Sequence, residues 1–236
     1  MSGSVPPLAV VTGGAGGIGR AVTAALTRAG HRVLSVDREP AADPSAYAAL
    51  VADLAVPDQA QRLLDDVHER HGLPAVLVNN AGVYPARDFL DYDPRTYAEV
   101  LDTNLGATFF GTLAYARALV AAGRPGTVVN VASISGRIGS PDAAYGASKG
   151  AVVALTRSLG RALAAHRIRV NAVAPGLVET PMAARIPAAR RDDYRARIPA
   201  GRFGAPDEIA AAVAWLAGPD SSYVTASVLD VDGGLH

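Results

Sequence analysis

Tyr145 and Lys149 stand four residues apart in the run Tyr145-Gly-Ala-Ser-Lys149, inside a helical pattern. Side chains at i and i+4 share a helix face, so a phenol and an ammonium can point into one site. A Tyr titrates near about 10 and is a sluggish base at neutral pH. A nearby cation favours the phenolate and brings the group toward its working range. The pair suits proton transfer at a carbonyl or carbinol oxygen, with Tyr145 as acid in one direction and base in the other. Spacing alone is weak, because such a pair is also an ordinary exposed couple on a helix. Composition adds weight: of 22 basic residues, Lys149 is the only lysine. Arg and Lys are not interchangeable where a compact charge must sit beside a titrating group. Ser133, at the end of an apolar run, can orient a substrate oxygen and stabilise charge developing on it. Asn104 is a polar residue in apolar surroundings. It can hold a water that connects Lys149 to solvent, or simply be satisfied within its helix.

A second constellation lies near the amino terminus. Residues 10–20 read VVTGGAGGIGR, an apolar strand, a glycine-rich turn and the start of a helix. Gly14, Gly16 and Gly19 satisfy the dinucleotide fingerprint; Gly13, Gly17 and Gly19 satisfy a related form. Such glycines let the backbone approach a pyrophosphate that sits on the helix N-terminus. The Gly-Lys-Ser/Thr ending of a triphosphate-binding loop is absent. Asp37 ends the next apolar run, where a carboxylate accepts from both ribose hydroxyls and repels a 2′-phosphate. NAD is therefore expected over NADP, although Arg38 offers the opposite reading, a partner for that phosphate. Asp53-Leu54 and Asn80-Ala81-Gly82 mark two further strand ends, where ligands of open α/β sheets lie. Asp53 can take an adenine amino group there.

The elements that position these groups are legible in outline. Strand-like runs at 8–12, 32–37, 49–53, 75–79, 126–131, 167–172 and 227–231 are rich in Val, Leu, Ile and Ala, as in parallel strands buried on both faces. Helical patterns fill 17–30, 57–71, 94–122, 142–165 and 206–217. Asp93-Pro94, Ser140-Pro141-Asp142 and Ala205-Pro206-Asp207-Glu208 are helix-start chemistry. The alternation predicts an α/β fold with a doubly wound parallel sheet. No linker divides the chain, so residues 1–236 read as one domain. The short link from Asp37 to Asp53, with Pro40 and Pro44, is expected to be a loop or a stunted helix. The stretch 177–203, with Pro181, Pro187 and Pro199, reads as a mobile lid.

Bulk properties exclude other classes. Net charge is zero, so nothing calls for nucleic acid or an anionic membrane. There is no Cys, and the five His lack metal-ligand spacing, so no metal is expected. His68 and His71 read as a solvated helix face. Residues 1–7 lack a basic n-region and no run has membrane length, so a cytoplasmic, soluble protein is expected.

These motifs together resemble the short-chain dehydrogenase/reductase family. Thr12-Gly13, Gly17, Gly19, Asn79–Gly82 (in one-letter code NNAG), Asn104, Ser133, Tyr145 and Lys149 follow its order and spacing. Arg169-Val-Asn171, Pro175-Gly176 and Val231-Asp-Gly-Gly234 follow it too. The resemblance implies a Rossmann-type seven-stranded sheet of order 3-2-1-4-5-6-7 and usually a homotetramer or dimer. It implies a catalytic set Asn104, Ser133, Tyr145 and Lys149, with Lys149 also donating to the nicotinamide ribose. It places Gly16, Ile18, Pro175, Gly176, Val178 and Thr180 beside the cofactor. Gly16 stands where NADP-using members often carry a basic residue. Ala226 departs from the usual Gly, for which a small packing effect is expected. The short third-strand link resembles compact, NAD-dependent dihydrodiol dehydrogenases of the family.

Substrate identity is less determined. Tyr84, Ser133, Ser135, Ile138 and Met182 are the candidate substrate wall, a mixed apolar and aromatic surface. The lid carries Arg185, Arg190, Arg191, Arg195, Arg197 and Arg202 against Glu179, Asp192 and Asp193. It can recruit a carboxylate or a phosphopantetheine carrier; a solvated helix in an Arg-rich chain is the preferred reading. The first expectation is an NAD-dependent oxidoreductase acting on a secondary alcohol or ketone, including a cyclic diol or hydroxy acid. The second is an NADPH-dependent 3-oxoacyl-(carrier protein) or polyketide-type ketoreductase. The third is a non-catalytic nucleotide-sensing protein, which an intact catalytic set disfavours. Helices apolar on more than one face, with Phe109, Phe110 and Leu155, suggest a homo-oligomer.

Overall fold

The computed structural model describes residues 5–39, 43–186 and 188–236. Pro40, Pro187 and the Arg185 side chain lie outside what it describes. Seven parallel strands form one sheet in the order β3-β2-β1-β4-β5-β6-β7. They are β1 Leu8–Thr12, β2 Arg32–Asp37, β3 Ala48–Val51, β4 Val76–Asn79, β5 Gly126–Val131, β6 Ile168–Pro175 and β7 Val228–Val231. The central strands are continuous apolar runs because both faces are covered. Alternate residues feed two cores, Val10, Leu34, Leu77 and Val128 on one side, and Val11, Val33, Val78 and Val129 on the other.

The first core packs on α2 (Pro57–His71) and α4 (Ala107–Ala121); Leu63, Leu64, Tyr115 and Leu119 supply the contacts. The second packs on α1 (Gly17–Arg28) and α8 (Pro206–Ala217), through Val22, Leu26, Ile209 and Leu216. Chain order reverses at β1, which lies between β2 and β4. A crevice therefore opens at the carboxyl ends of these strands.

Three departures from the sequence reading bear on the site. The long helix expected at 94–122 is two helices, α3 (Pro94–Leu101) and α4, joined by a π-turn at Asp102–Gly106. Such turns insert one residue per turn and re-aim side chains; here the re-aimed residue is Asn104, fully buried. Strand β3 ends at Val51, so Asp53 follows it, exposed, rather than ending it. Strand β6 runs on to Pro175, three residues past the expected end. That length carries Pro175-Gly176 to the crevice.

Ala226 has a larger effect than packing. It sits at φ +58, the left-handed region that costs an Ala about 1 kcal/mol, and it abuts Gly160. Between β2 and β3 no helix forms among the described residues. The 177–203 stretch contains a short 3-10 turn at Ala183–Arg185 and α7 (Ala188–Arg197).

Candidate active site

A cleft of about 1350 Å³ runs along the carboxyl ends of the strands. The residues expected to face cofactor or substrate line it, except Gly14, which packs on Ser35 of β2 instead. Asn104 does not line it either.

At one end the walls are main chain. Gly13 (φ +64) turns the chain out of β1, and Gly19 packs directly on it. A Cβ on Gly19 would stand 2.0 Å from the Gly13 carbonyl oxygen, so no side chain fits. Among the described residues no side chain caps the start of α1 and no acid lies in its first turn. Its first amides and the positive end of its dipole are left for an anion. Asn80 explains the turn's rigidity: its amide donates to the carbonyls of Thr12 (3.0 Å) and Gly13 (2.9 Å). The Asp37 carboxylate accepts from Ala15 N–H (3.0 Å) and Arg38 N–H (2.8 Å), which fixes it at the rim of the cleft. Arg20 and Arg38 line the same region. Gly16 has room, since a Cβ there meets only the Gly13 carbonyl, at 3.4 Å. This uncapped, glycine-lined end fits a dinucleotide's pyrophosphate and ribose.

At the other end the walls are side chains. Helix α6 (Ala143–Leu163) presents Tyr145 and Lys149, and its N-cap is Asp142, whose carboxylate accepts from Tyr145 N–H at 3.0 Å. Ser133 follows β5 and hydrogen-bonds the Tyr145 phenol. The short helix α5 (Ser135–Ile138) then touches α6. A Cβ on Gly136 would lie 2.5 Å from backbone atoms of Lys149 and Gly150, and this close approach seats Ser133 against Tyr145. Nζ of Lys149 donates to the Val131 carbonyl (2.8 Å) and lies 5.9 Å from the Tyr145 ring centre.

Asn104 works by holding backbone. Its oxygen accepts from Val83 N–H (2.8 Å), and its amide donates to the Val83 carbonyl (3.1 Å) and the Ser148 hydroxyl (3.0 Å). Ser148, fully buried between Tyr145 and Lys149 in sequence, donates to the Tyr145 carbonyl. The Tyr84 ring stands 4.9 Å from that of Tyr145, edge to face. Ile138 and Met182 sit exposed at the rim.

Electrostatics differ from the expectation for the pair. Burial pushes the Tyr145 phenol up to about 12; the Ser133 hydrogen bond pulls it down, and Tyr84 and Asp142 push it further up. Burial holds Lys149 down at about 8. Desolvation thus outweighs the pairing, because the same burial that raises the phenol weakens the ammonium.

Several residues at the site carried no clear sequence signal. Tyr194 of α7 and Leu235 line the cleft, beside Arg197, which the sequence marks only as one of the lid arginines. Asp142 reads in sequence only as a helix start. The lid arginines are largely engaged: Arg191 with Glu179, Arg195 with Asp192, Arg190 with Asp88 and Arg202 with Glu208. Arg191 and Arg195 also lie over the Phe203 ring. Among the described residues no cluster of His, Cys, Asp and Glu could hold a metal, and no helix is long and apolar enough to cross a membrane.

A parallel sheet with a glycine turn at its switch point, and a Ser-Tyr-Lys set at the far end of the same cleft, defines a dinucleotide-dependent oxidoreductase. Comparison with known proteins agrees. Residues 13–236 match the family model described as enoyl-(acyl carrier protein) reductase. The chain is 35% identical to a 3-oxoacyl-(acyl-carrier-protein) reductase of Thermotoga maritima, over 96% of this chain and 96% of that protein. It is 39% identical to a galactitol 2-dehydrogenase (L-tagatose-forming) of Cereibacter sphaeroides, over 96% and 93%. A structure from Agrobacterium tumefaciens, offered as a 2-deoxy-D-gluconate 3-dehydrogenase and holding bound NADP, superposes with a TM-score of 0.89 at 38% identity, over 97% of this chain and 96% of that one. The chain belongs to the short-chain dehydrogenase/reductase family and is an NAD(P)-dependent oxidoreductase acting on CH–OH groups.

Proposed function

We propose that the chain interconverts a secondary alcohol and a ketone, with Tyr145, Lys149, Ser133 and Asn104 as its working set and NAD as its preferred cofactor. The observation that carries the reading is the Tyr145 phenol. It is hydrogen-bonded to Ser133 and stands above Lys149, at the end of the cleft opposite the glycine turn. When bound, the cofactor supplies or accepts a hydride at its nicotinamide ring. The free amides of Gly17, Ile18 and Gly19 would hold its pyrophosphate, with Gly16, whose own N–H donates to the Gly13 carbonyl, leaving room beside them, and Asp37 would hold its ribose. Asp53 and Leu54, which line the cleft, would face its adenine. Asn80–Gly82, Pro175, Gly176, Val178 and Thr180 line the nicotinamide side.

Ser133 orients the substrate oxygen. In reduction Tyr145 gives that oxygen its proton, and a phenol held near 12 is fully protonated at neutral pH. In oxidation the same phenol must first lose its proton. Lys149 then supplies the stabilising charge below pH about 8. Asn104 holds the Val83 backbone against this set. The Asp37 carboxylate, fixed by two amides, supports NAD, because it faces the place of a 2′-phosphate with like charge.

Within that class we infer a polyol, cyclic diol or hydroxy acid as substrate. The wall of Tyr84, Ser135, Ile138 and Met182 mixes aromatic, apolar and hydroxyl surface. A second reading, an NADPH-dependent 3-oxoacyl-(carrier protein) reductase, is favoured by Arg38 beside Asp37 and Arg197 at the cleft. The reading includes one domain with residues 177–203 as its lid, in a cytoplasmic homo-oligomer, dimer or tetramer. An apolar groove of Leu105, Phe109, Phe110 and Leu155, with Phe109 43% exposed, supports a second copy on α4 and α6.

The test is turnover of galactitol, cyclohexanediol, 3-hydroxybutyrate and acetoacetyl-CoA with each cofactor, run beside Tyr145→Phe. Wild type should act on at least one, faster with NAD(H). Tyr145→Phe should lose about a thousandfold in kcat, as expected for a missing acid/base, and keep cofactor affinity. Full activity in Tyr145→Phe would refute the role, and an NADPH preference would refute the cofactor.

A further inference from the structure

The segment after β4 carries Tyr84 past the Tyr145 ring, and two buried polar side chains grip it. Asn104 takes both backbone groups of Val83. Asp142 takes the far end. Its Oδ2 accepts from Arg87 N–H at 3.2 Å, and its Oδ1 accepts from the Tyr92 hydroxyl. That same Oδ1 accepts from Tyr145 N–H and caps α6.

Capping alone does not account for Asp142. Ser or Asn caps a helix as well as Asp does. A carboxylate only 1% exposed is expensive to desolvate. It has what a neutral cap lacks, two oxygens that both only accept. Three donors from two separate segments converge on them. The neighbouring backbone is consistent with a grip. Ala86 sits at φ +59, a conformation unfavourable for alanine, and the Arg87 N–H reaches Asp142 directly after it. The Arg87 guanidinium is engaged elsewhere, with the Asp91 carbonyl and Asp93.

We propose that Asp142 is a positioning residue: one carboxylate holds the helix that bears Tyr145 and the segment that bears Tyr84, and so fixes the substrate wall relative to the acid/base. This rests on the reading of the cleft given above. The same carboxylate places a negative charge near Tyr145. The other groups bearing on that phenol are Ser133 after β5, Tyr84 on the gripped segment and Lys149 on α6. Tyr92 and Arg87 lie beyond Asp142, and Arg190 and Tyr194 of α7 act on Tyr84.

Two variants separate the grip from the cap. Tyr92→Phe removes one donor and leaves the charge. Asp142→Ser keeps a cap and removes the charge and the second oxygen. Tyr92→Phe should raise the KM of the best panel substrate about fivefold, the worth of one hydrogen bond, with kcat and cofactor KM nearly unchanged. Asp142→Ser should do the same. It should also move the rising limb of alcohol oxidation about half a pH unit lower, since a negative charge near the phenol is gone. In hydrogen exchange on the free protein, the Arg87 amide should lose protection in Asp142→Ser and the Val83 amide should keep it.

An Asp142→Ser protein that melts lower, yet keeps substrate KM, pH limb and Arg87 protection, would overturn the proposal and leave a plain helix cap. If Asp142→Ser does not fold, an unchanged substrate KM in Tyr92→Phe overturns it alone. A wild type that turns over no panel substrate would sink the functional reading instead. The exchange comparison, which needs no substrate, then decides the grip by itself.

Discussion

At the glycine-turn end of the cleft the walls are backbone, laid down by consecutive residues between β1 and α1. At the Tyr145 end they are side chains delivered by the β4 segment, the π-turn, the end of β5 and α6. The first end is rigid because nothing larger than hydrogen fits at Gly19. The second is held by buried polar bonds across long sequence distances: Val83 to Asn104, Arg87 to Asp142, Lys149 to the Val131 carbonyl. The cofactor end therefore needs little desolvation of charge, whereas the catalytic end buries an ammonium and a carboxylate. Chemistry at a titrating group asks for that burial, and stability opposes it.

Gly19→Ala should break the first end most severely. Its Cβ overlaps a carbonyl that cannot move, so a loss of about 3 kcal/mol in stability is expected, with cofactor binding abolished. Thermal melts and titration calorimetry with NADH check this, and near-native affinity would show that the turn yields.

Lys149→Met tests the second end with the opposite sign. Burial lowers the Lys149 pKa from 10.5 to about 8. The folded state is therefore penalised while the group is charged, fully so below pH about 8. The penalty fades as pH rises from 8 through 10.5, because there the unfolded chain binds the extra proton. At pH 7 the variant should be more stable by about 2 kcal/mol, net of the lost bond to Val131, and inactive. Denaturation at pH 7 and pH 10.5 should show the advantage shrinking. A variant less stable at pH 7 would mean that the catalytic end is not where stability is given up.

The smallest expected effect is at Asp37. Asp37→Ser removes the like charge facing a 2′-phosphate and should shift the NADPH-to-NADH ratio of kcat/KM about tenfold toward NADPH, about 1.4 kcal/mol. An unchanged ratio would give cofactor choice to Arg20 and Arg38 instead.

The cofactor end was legible because its signal is local. Glycines at fixed offsets between an apolar strand and a helix can be read directly, and Asp37 follows at the next strand end. Tyr145 and Lys149 were legible through helical spacing and through the single lysine. Asn104 could be singled out, as a holder of water or a satisfied helix residue, but its grip on Val83 and Ser148 could not be read. The π-turn that aims it arises inside a pattern that reads as one unbroken helix. Asp142 looked like a helix start because its sequence neighbours reveal only the cap. Its other two partners, Arg87 and Tyr92, lie more than 40 residues away in the chain.

The sequence by itself determined the strand–helix alternation of a parallel sheet, the glycine turn and the spacing of Tyr145 and Lys149, while the strand order followed from the family resemblance. Apolar runs alternating with helical patterns mark strands covered on both faces, and glycine or tyrosine identity is not altered by packing. Tertiary structure decided what those residues experience. It raised Tyr145 rather than lowering it, because desolvation depends on what surrounds a group in space. It set Ala226 at a positive φ against Gly160, where the sequence showed only one small residue in place of another. And it gathered Tyr84, Tyr145 and Asp142 into one wall, because hydrogen bonds between distant segments exist only once the sheet has brought them together.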